Sequence, residues 1–146
     1  MNLEKINDFI KQKNIAVVGV SRKPQKFGNF IFKELVKKGY TTFPVNPKME
    51  SLDNNKCYPN LKELPIKVDG VVVVVSPEEA QKVVAEACES GIKRVWLQQG
   101  SESPVSINYC TNHGVSVVAG ECIMMFAPPV SFFHRIHRFF WNMLKK

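Results

Sequence analysis

Residues 15–28, IAVVGVSRKPQKFG, constrain the fold more than any other part of the sequence. The first five residues form an uncharged, apolar run, which is typical of a strand buried on both faces of a sheet. Gly19 ends the run, and the polar loop after it carries three cations, Arg22, Lys23 and Lys26. Phe27, Gly28 and Asn29 then lead into a segment whose apolar residues have helical spacing, Phe30, Ile31, Leu35 and Val36. A glycine turn, the free N–H groups of a helix start and nearby cations together predict a phosphate site.

This motif differs from the dinucleotide-binding fingerprint, which needs three glycines and an acidic residue after the second strand. Only Gly19 matches, and Ser21 stands where the second glycine would be, with a hydroxyl that can donate to a phosphate oxygen. The second strand, predicted at 41–45, runs into Asn46, Pro47 and Lys48, so a cation replaces the acid. A ligand with an additional phosphate on its ribose suits that charge better than NAD does.

Four segments resemble the small stand-alone CoA-binding proteins of bacteria, which are relatives of the CoA-binding domain of the succinyl-CoA synthetase α chain. These segments are GVSRKPQKFGN, FPVNPK, the valine-rich strand that ends at Ser76 and Pro77, and WLQQG, within residues 14–122. The resemblance implies a Rossmann-like sheet that holds coenzyme A or an acyl-CoA, with its phosphates at the first strand-to-helix loop. It implies ligand contacts from Gly19, Ser21, Arg22, Lys26, Phe27, Gly28, Asn46, Pro47, Lys48, Ser76 and Pro77.

We assign roles to the best-defined of these residues. Arg22, Lys26 and Lys48 are the phosphate cations, while Asn46 and Pro47 shape the wall around adenine or ribose. Other polar residues at strand ends have two interpretations each. Ser76 either caps a helix only or also contacts the ligand. The amides of Gln98 and Gln99 either bond a polar ligand or satisfy loop backbone.

Strands alternate with helices five times, which predicts an α/β fold: a doubly wound, Rossmann-like parallel sheet with helices on both faces. We expect the strand order 3-2-1-4-5 in a domain of residues 1–126. A short amphipathic helix is predicted at 2–13, and further helices at 77–90 and 104–113. The turn-rich stretch 48–60 is expected to be a loop across the mouth of the site, where it can act as a lid.

The final segment, 127–146, has an apolar stripe at helical spacing and is predicted to be a basic amphipathic helix. The stripe comprises Phe132, Phe133, Ile136, Phe139, Phe140, Met143 and Leu144. Packing on its own domain or on a twin subunit is the favoured interpretation. An anionic membrane surface is the alternative, and nucleic acid is the least favoured partner.

The formal net charge of +7 would suit a nucleic-acid partner, but much of it belongs to the final segment, which carries Arg135, Arg138, Lys145 and Lys146. The four cysteines lack metal-ligand spacing and are expected to be small apolar residues, so no metal site is predicted. No secretory signal or bilayer-spanning run is found, which indicates a cytoplasmic protein.

No catalytic constellation is evident in the sequence, so non-catalytic binding is the preferred function. Cys122, which Glu121 or His134 would have to activate, is the single candidate nucleophile that we identify. An NAD(P)-dependent oxidoreductase and a nucleotide or redox sensor remain the alternatives.

Overall fold

The computed structural model describes residues 2–128, and they form an α/β fold built on a parallel sheet. In chain order the elements are α1 (Leu3–Ile10), β1 (Asn14–Val18), α2 (Phe27–Lys37), β2 (Thr41–Val45), β3 (Ser51–Leu52), β4 (Asn55–Lys56), β5 (Gly70–Val73), α3 (Pro77–Glu89), β6 (Arg94–Gln98), α4 (Pro104–Asn112) and β7 (Ser116–Glu121). Two short 3-10 helices, Leu61–Glu63 and Ile123–Met125, complete the described chain. Five strands, β1, β2, β5, β6 and β7, make the main sheet, and β3 and β4 form a small separate hairpin.

The helices cover both faces of the sheet, as the alternating pattern predicts. On one face, Phe9 of α1 and Phe32 of α2 are buried in one apolar cluster with Trp96. On the other face, Val84 of α3 and Cys110 of α4 pack in a second cluster with residues of β5 and β6. The doubly wound, Rossmann-like architecture is therefore confirmed.

The predicted strand order 3-2-1-4-5 is wrong in one respect. The third strand of the main sheet, β5, lies beside β1 rather than beyond β2, so the order is β2-β1-β5-β6-β7. Every residue of β5 is buried, which requires an inner position with a neighbour on each side. Strand β2 contains Pro44, which cannot donate to a ladder and therefore suits the edge of the sheet. The order of the strands consequently reverses between β1 and β5, which is where ligands bind in open parallel sheets.

The helices predicted within the described residues have the expected positions, with ends that differ by a few residues. Stretch 48–60 is not wholly irregular, since it contains the β3–β4 hairpin, in which Ser51 pairs with Lys56. Asp53 and Asn54 form its turn with φ angles of 48° and 67°. Asn and Asp tolerate this left-handed conformation, which allows a two-residue turn without glycine.

Two of the four cysteines, Cys57 and Cys110, are buried, and the other two, Cys88 and Cys122, are half-buried. All four are free thiols. Burial, with a smaller contribution from the neighbouring Cys88, raises the pKa of the Cys110 thiol to about 12. Cys110 therefore stays neutral at physiological pH. Within the described part of the chain, no group of three or more His, Cys, Asp or Glu side chains is placed to hold a metal ion.

None of the helices within residues 2–128 is long and apolar enough to cross a membrane. The core of the domain extends to Ala127, which is fully buried. The amphipathic helix was predicted for residues 127–146, of which residues 129–146 lie outside the described part of the chain.

Candidate functional site

An open groove with a volume of 600 Å³ lies at the carboxyl ends of β1, β2 and β5. One wall comes from the first two strand ends and includes four of the predicted site residues, Gly19, Asn46, Pro47 and Lys48. The opposite wall comes from the end of β5 and from α3, and includes Val75, Glu79, Lys82, Val83 and Glu86. The groove is therefore at the reversal of strand order, where ligands bind in open α/β sheets.

Two glycines allow unusually close approach of backbone segments at the start of the site. Gly19 has φ +126°, and a Cβ there would lie 2.1 Å from the carbonyl oxygen of Val74. A Cβ at Gly28 would lie 2.2 Å from the carbonyl oxygen of Gly19. These positions thus need glycine for the contact between β1, β5 and α2. The sequence suggested that Gly19 lets the backbone approach a bound anion. It did not show that Gly19 is also needed for close packing against Val74.

Asn29 holds the basic loop in place and was missed as a site residue. Its side chain is almost completely buried, with 2% of its surface exposed. Its Oδ1 accepts a hydrogen bond from the Ser21 N–H at 2.7 Å, and its Nδ2 donates to the Ser21 carbonyl oxygen at 2.7 Å. The hydroxyl oxygen of Ser21 accepts from the Lys23 N–H at 3.1 Å. The sequence signal that could have identified Asn29 is its position directly after Gly28 at the start of a helix.

We expect Asn29→Ala to lower the free energy of unfolding by about 1–3 kcal/mol, because it leaves the Ser21 backbone groups without partners. Chemical denaturation of the purified protein measures this change. Asn7→Ala is the matched control, since Asn7 is an exposed residue within α1, and its effect should stay within about 0.5 kcal/mol. Equal midpoints for the two variants would contradict the anchoring role of Asn29.

Arg22 connects the first loop with the second. Its Nη2 donates to the carbonyl oxygen of Lys48 at 2.5 Å. The Asn46 side chain makes a second connection, since its Nδ2 donates to the Val20 carbonyl oxygen at 2.7 Å. Its Oδ1 also accepts from the Lys48 N–H at 2.7 Å. Because its amide is bonded to backbone on both sides, Asn46 positions Pro47 and Lys48 at the rim of the groove.

The N-terminus of α2 has donors available for an anion. Lys26 is its N-cap residue, and no side chain caps the helix there. Within residues 2–128, the N–H groups of Phe27 and Gly28 donate to no acceptor. The positive end of the helix dipole adds to these donors. This end of α2 can hold a phosphate.

Phe27 and Phe30 form an exposed aromatic pair beside this helix start. Their ring centroids are 5.6 Å apart with an angle of 17° between the ring planes. They are 47% and 43% exposed, respectively. Apolar rings at this level of exposure offer a surface that an apolar part of a ligand can cover.

The remaining strand-end residues have partners within the protein. Ser76 caps α3, since its Oγ accepts from the Glu79 N–H at 3.4 Å and Pro77 begins the helix. Neither Ser76 nor Pro77 lines the groove, although the adjacent Val75 does. The structure therefore brings Gly19, Asn46, Pro47 and Lys48 to one groove, while Ser21, Arg22, Lys26, Phe27 and Gly28 lie outside its lining. Ligand contact stays a prediction for every one of the predicted site residues.

The two amides after β6 also bond to the protein itself. Gln98, which is buried, accepts from the Ile123 N–H through Oε1 at 3.1 Å. Gln99 donates from Nε2 to the Gly120 carbonyl oxygen at 3.3 Å. Of the two interpretations given for these amides, satisfaction of loop backbone is the one observed.

Comparison with known proteins covers almost all of the described chain. A family model described as a CoA binding domain matches residues 13–128. The alpha subunit of the ADP-forming acetate–CoA ligase II of Pyrococcus furiosus is 28% identical over 126 residues, which cover 79% of this chain and 28% of that subunit. The uncharacterized protein YneT of Bacillus subtilis is 30% identical over 113 residues, which cover 77% of this chain and 84% of YneT.

A solved structure is similar to this chain in both length and fold. A conserved hypothetical protein from Pyrococcus furiosus matches with a TM-score of 0.73 and 41% sequence identity, over 76% of this chain and 96% of that one. The chain thus has the extent of small single proteins, while it spans less than a third of the ligase subunit.

Proposed function

The chain belongs to the CoA binding domain family, and on that premise we propose that it binds coenzyme A, free or acylated, without catalysing a reaction of its own. The family match carries the proposal, because it spans residues 13–128 and includes every strand of the main sheet. The resemblance of the sequence to stand-alone CoA-binding proteins is confirmed by this match. Nothing in the comparisons favours the oxidoreductase or sensor alternatives.

We place the adenine and ribose in the groove. Pro47 on one wall and Val75 and Val83 on the other give apolar surfaces that suit a flat base. The two carboxylates of the groove already have partners: Glu79 lies 4.0 Å from Lys82, and Glu86 accepts from the Leu61 N–H at 3.0 Å. Glu79 thus has a cation beside it, and Glu86 is hydrogen-bonded to the backbone.

We place the diphosphate at the N-terminus of α2. The free N–H groups of Phe27 and Gly28 supply hydrogen bonds, and Lys26 supplies charge. From there the pantetheine arm leaves toward the exposed rings of Phe27 and Phe30. These rings are the reason for including acylated ligands in the proposal.

The non-catalytic part of the proposal is supported by the setting of Cys122. This residue is half-buried, and its side chain packs against the apolar cluster that contains Trp96 and Phe126. A nucleophile needs an adjacent base within hydrogen-bond reach. His134, one of the two groups considered as its base, lies outside the described residues.

A ligand panel tests the proposal. We expect CoA and acetyl-CoA at a hundred times their dissociation constants to raise the melting temperature of the protein by about 5–10 °C. NADH and NADPH at the same concentrations should raise the melting temperature far less, because neither carries the pantetheine arm that we place against Phe27 and Phe30. Differential scanning fluorimetry gives the ranking, and titration calorimetry gives the affinities.

The same panel contains the result that would overturn the proposal. If NADPH stabilised the protein as strongly as CoA, the site would be a general nucleotide site. If neither form of CoA produced a shift or heat, CoA binding itself would be refuted. Turnover of acetyl-CoA by the protein alone, followed by thiol release, would refute the non-catalytic part.

A further inference from the structure

The last turns of α3 and α4 each carry a cysteine, Cys88 and Cys110. These two helices connect the successive parallel strands β5, β6 and β7, and both pack in the second apolar cluster. Because crossovers between parallel strands have the same hand, the two helices lie on one face of the sheet and point in the same direction. The fold thus places two cysteines, which are separated in sequence by the whole of β6, at neighbouring helix ends.

The two thiols contact each other directly, since the side chains of Cys88 and Cys110 are hydrogen-bonded. Their backbones are held by the bonds that end the helices. The Cys88 carbonyl oxygen accepts from the Gly91 N–H at 3.1 Å, and the Cys110 carbonyl oxygen accepts from the Val115 N–H at 2.9 Å. The contact between the thiols is therefore a fixed feature of the fold.

The other two cysteines lie on the opposite face of the sheet. Cys57 and Cys122 pack in the first apolar cluster, with Trp96, whereas Cys88 and Cys110 pack in the second. The sheet consequently separates the two groups of thiols. Within the pair, Cys110 is fully buried and Cys88 is half-buried. A small oxidant in solution therefore reaches Cys88 before Cys110.

We propose that Cys88 and Cys110 are a site of oxidative modification, at which a peroxide converts the two thiols into an intramolecular disulfide that joins α3 to α4. The Cys88 sulfur attacks one peroxide oxygen, the O–O bond breaks, and a sulfenic acid and one water are formed. The Cys110 sulfur then displaces the sulfenic oxygen, which leaves with the Cys110 proton as a second water. Two thiols and one hydrogen peroxide thus give one disulfide and two waters.

The site bears on the groove without being part of it. Helix α3 also carries Val83 and Glu86, which line the groove, so the disulfide ties one wall of the groove to α4. Burial raises the pKa of both thiols. The thiolate that attacks peroxide is consequently scarce at neutral pH, and we expect the reaction to be slow there and to become faster as the pH rises.

Treatment of the full chain with hydrogen peroxide at about pH 8.5, followed by mass spectrometry, tests the inference. We expect two of the four thiols to become unavailable to N-ethylmaleimide in the unfolded protein, and two peptides joined through Cys88 and Cys110 to be found. The disulfide should raise the melting temperature by about 5 °C or more, because it closes a loop of the unfolded chain. Dithiothreitol should reverse that rise.

Cys88→Ser should abolish both the joined peptides and the rise in melting temperature. Cys122→Ser is the matched control, because Cys122 is also half-buried but lies on the other face of the sheet, and this variant should keep both effects. Cys110→Ala removes the second thiol and should leave Cys88 as a sulfenic acid that dimedone labels.

Three results would overturn the inference. Peroxide could leave all four thiols free to react with N-ethylmaleimide. The disulfide could instead involve Cys57 or Cys122, or could join two chains, which a non-reducing gel separates from the intramolecular product. Cys88 could also pass directly to the sulfinic acid, in which case Cys110 does not reach it in solution. None of these results depends on the ligand of the groove, so the proposed function is tested separately.

Discussion

Replacing Gly19 by alanine should lower the free energy of unfolding by about 3 kcal/mol or more, because it adds overpacking to backbone strain. The new Cβ would lie 2.1 Å from the carbonyl oxygen of Val74, a distance at which one of the two segments must move. The φ of +126° is also unfavourable for any residue with a side chain. Because β1 and β5 meet at this point, the shift would widen the groove as well. Urea denaturation, followed by circular dichroism, measures the loss of stability.

Gly114→Ala is the control for this prediction. Gly114 also has a positive φ, of +70°, but a Cβ there would meet nothing within 4 Å. Its substitution should therefore cost only the left-handed backbone conformation, about 1–2 kcal/mol. If Gly19→Ala lost no more stability than Gly114→Ala, the close contact with Val74 would not exist in solution.

Most of the fold follows from local sequence signals. The run of valines before Ser76 predicts a buried strand because β-branched side chains suit a strand covered on both faces. Ser76, Pro77 and the acids after them predict a helix start, and α3 begins at Pro77 with Ser76 as its cap. These signals lie within a few residues of the element that they specify. They therefore give the position and type of each element without knowledge of its neighbours.

The strand order depended on information that no single strand provides. Pairing of β5 with β1 joins Val72 to Val17, which are far apart in sequence. Two local signals did favour the observed order: the uniform burial expected for the valine strand, and Pro44 in the second strand. Taken together they place β2 at an edge and β5 inside. The order 3-2-1-4-5 follows the commonest Rossmann pattern instead and leaves the valine strand at an edge.

Sequence motifs predicted which loops carry the candidate site, but they did not predict how the side chains of these loops contact one another. The cations of the first loop and the PVNP segment predicted which loops carry the candidate site, and the PVNP segment lines the groove. The bond between Arg22 and Lys48 joins residues 26 positions apart, and the β3–β4 hairpin lies in a stretch that was predicted to be a loop. Such contacts depend on how loops fold against one another. Asn29 differs, since its role is local and its position after Gly28 could have identified it.

Removing Arg22 and Lys26 together by alanine substitution should weaken CoA binding by a hundredfold or more. Each charge-assisted hydrogen bond to phosphate contributes about 1.5–3 kcal/mol. Lys26 is the N-cap residue of α2, whereas Arg22 bonds to Lys48 in the loop after β2. Because the two cations belong to different parts of the candidate site, the effects of the single variants should add in the double variant. Titration calorimetry of both single variants and the double variant at fixed salt measures the additivity.

The double variant Lys13→Ala with Lys93→Ala is the matched control, because it removes the same charge from exposed residues. These two lysines directly precede β1 and β6, at the amino ends of the strands and thus away from the groove. A general attraction of a basic protein for an anionic ligand would weaken to a similar degree in both double variants. If Arg22 and Lys26 contact phosphate directly, CoA binding should be weakened only in the variant that lacks these two cations. An unchanged CoA affinity in that variant would refute the phosphate assignment, and losses smaller than additive would place both cations on one phosphate.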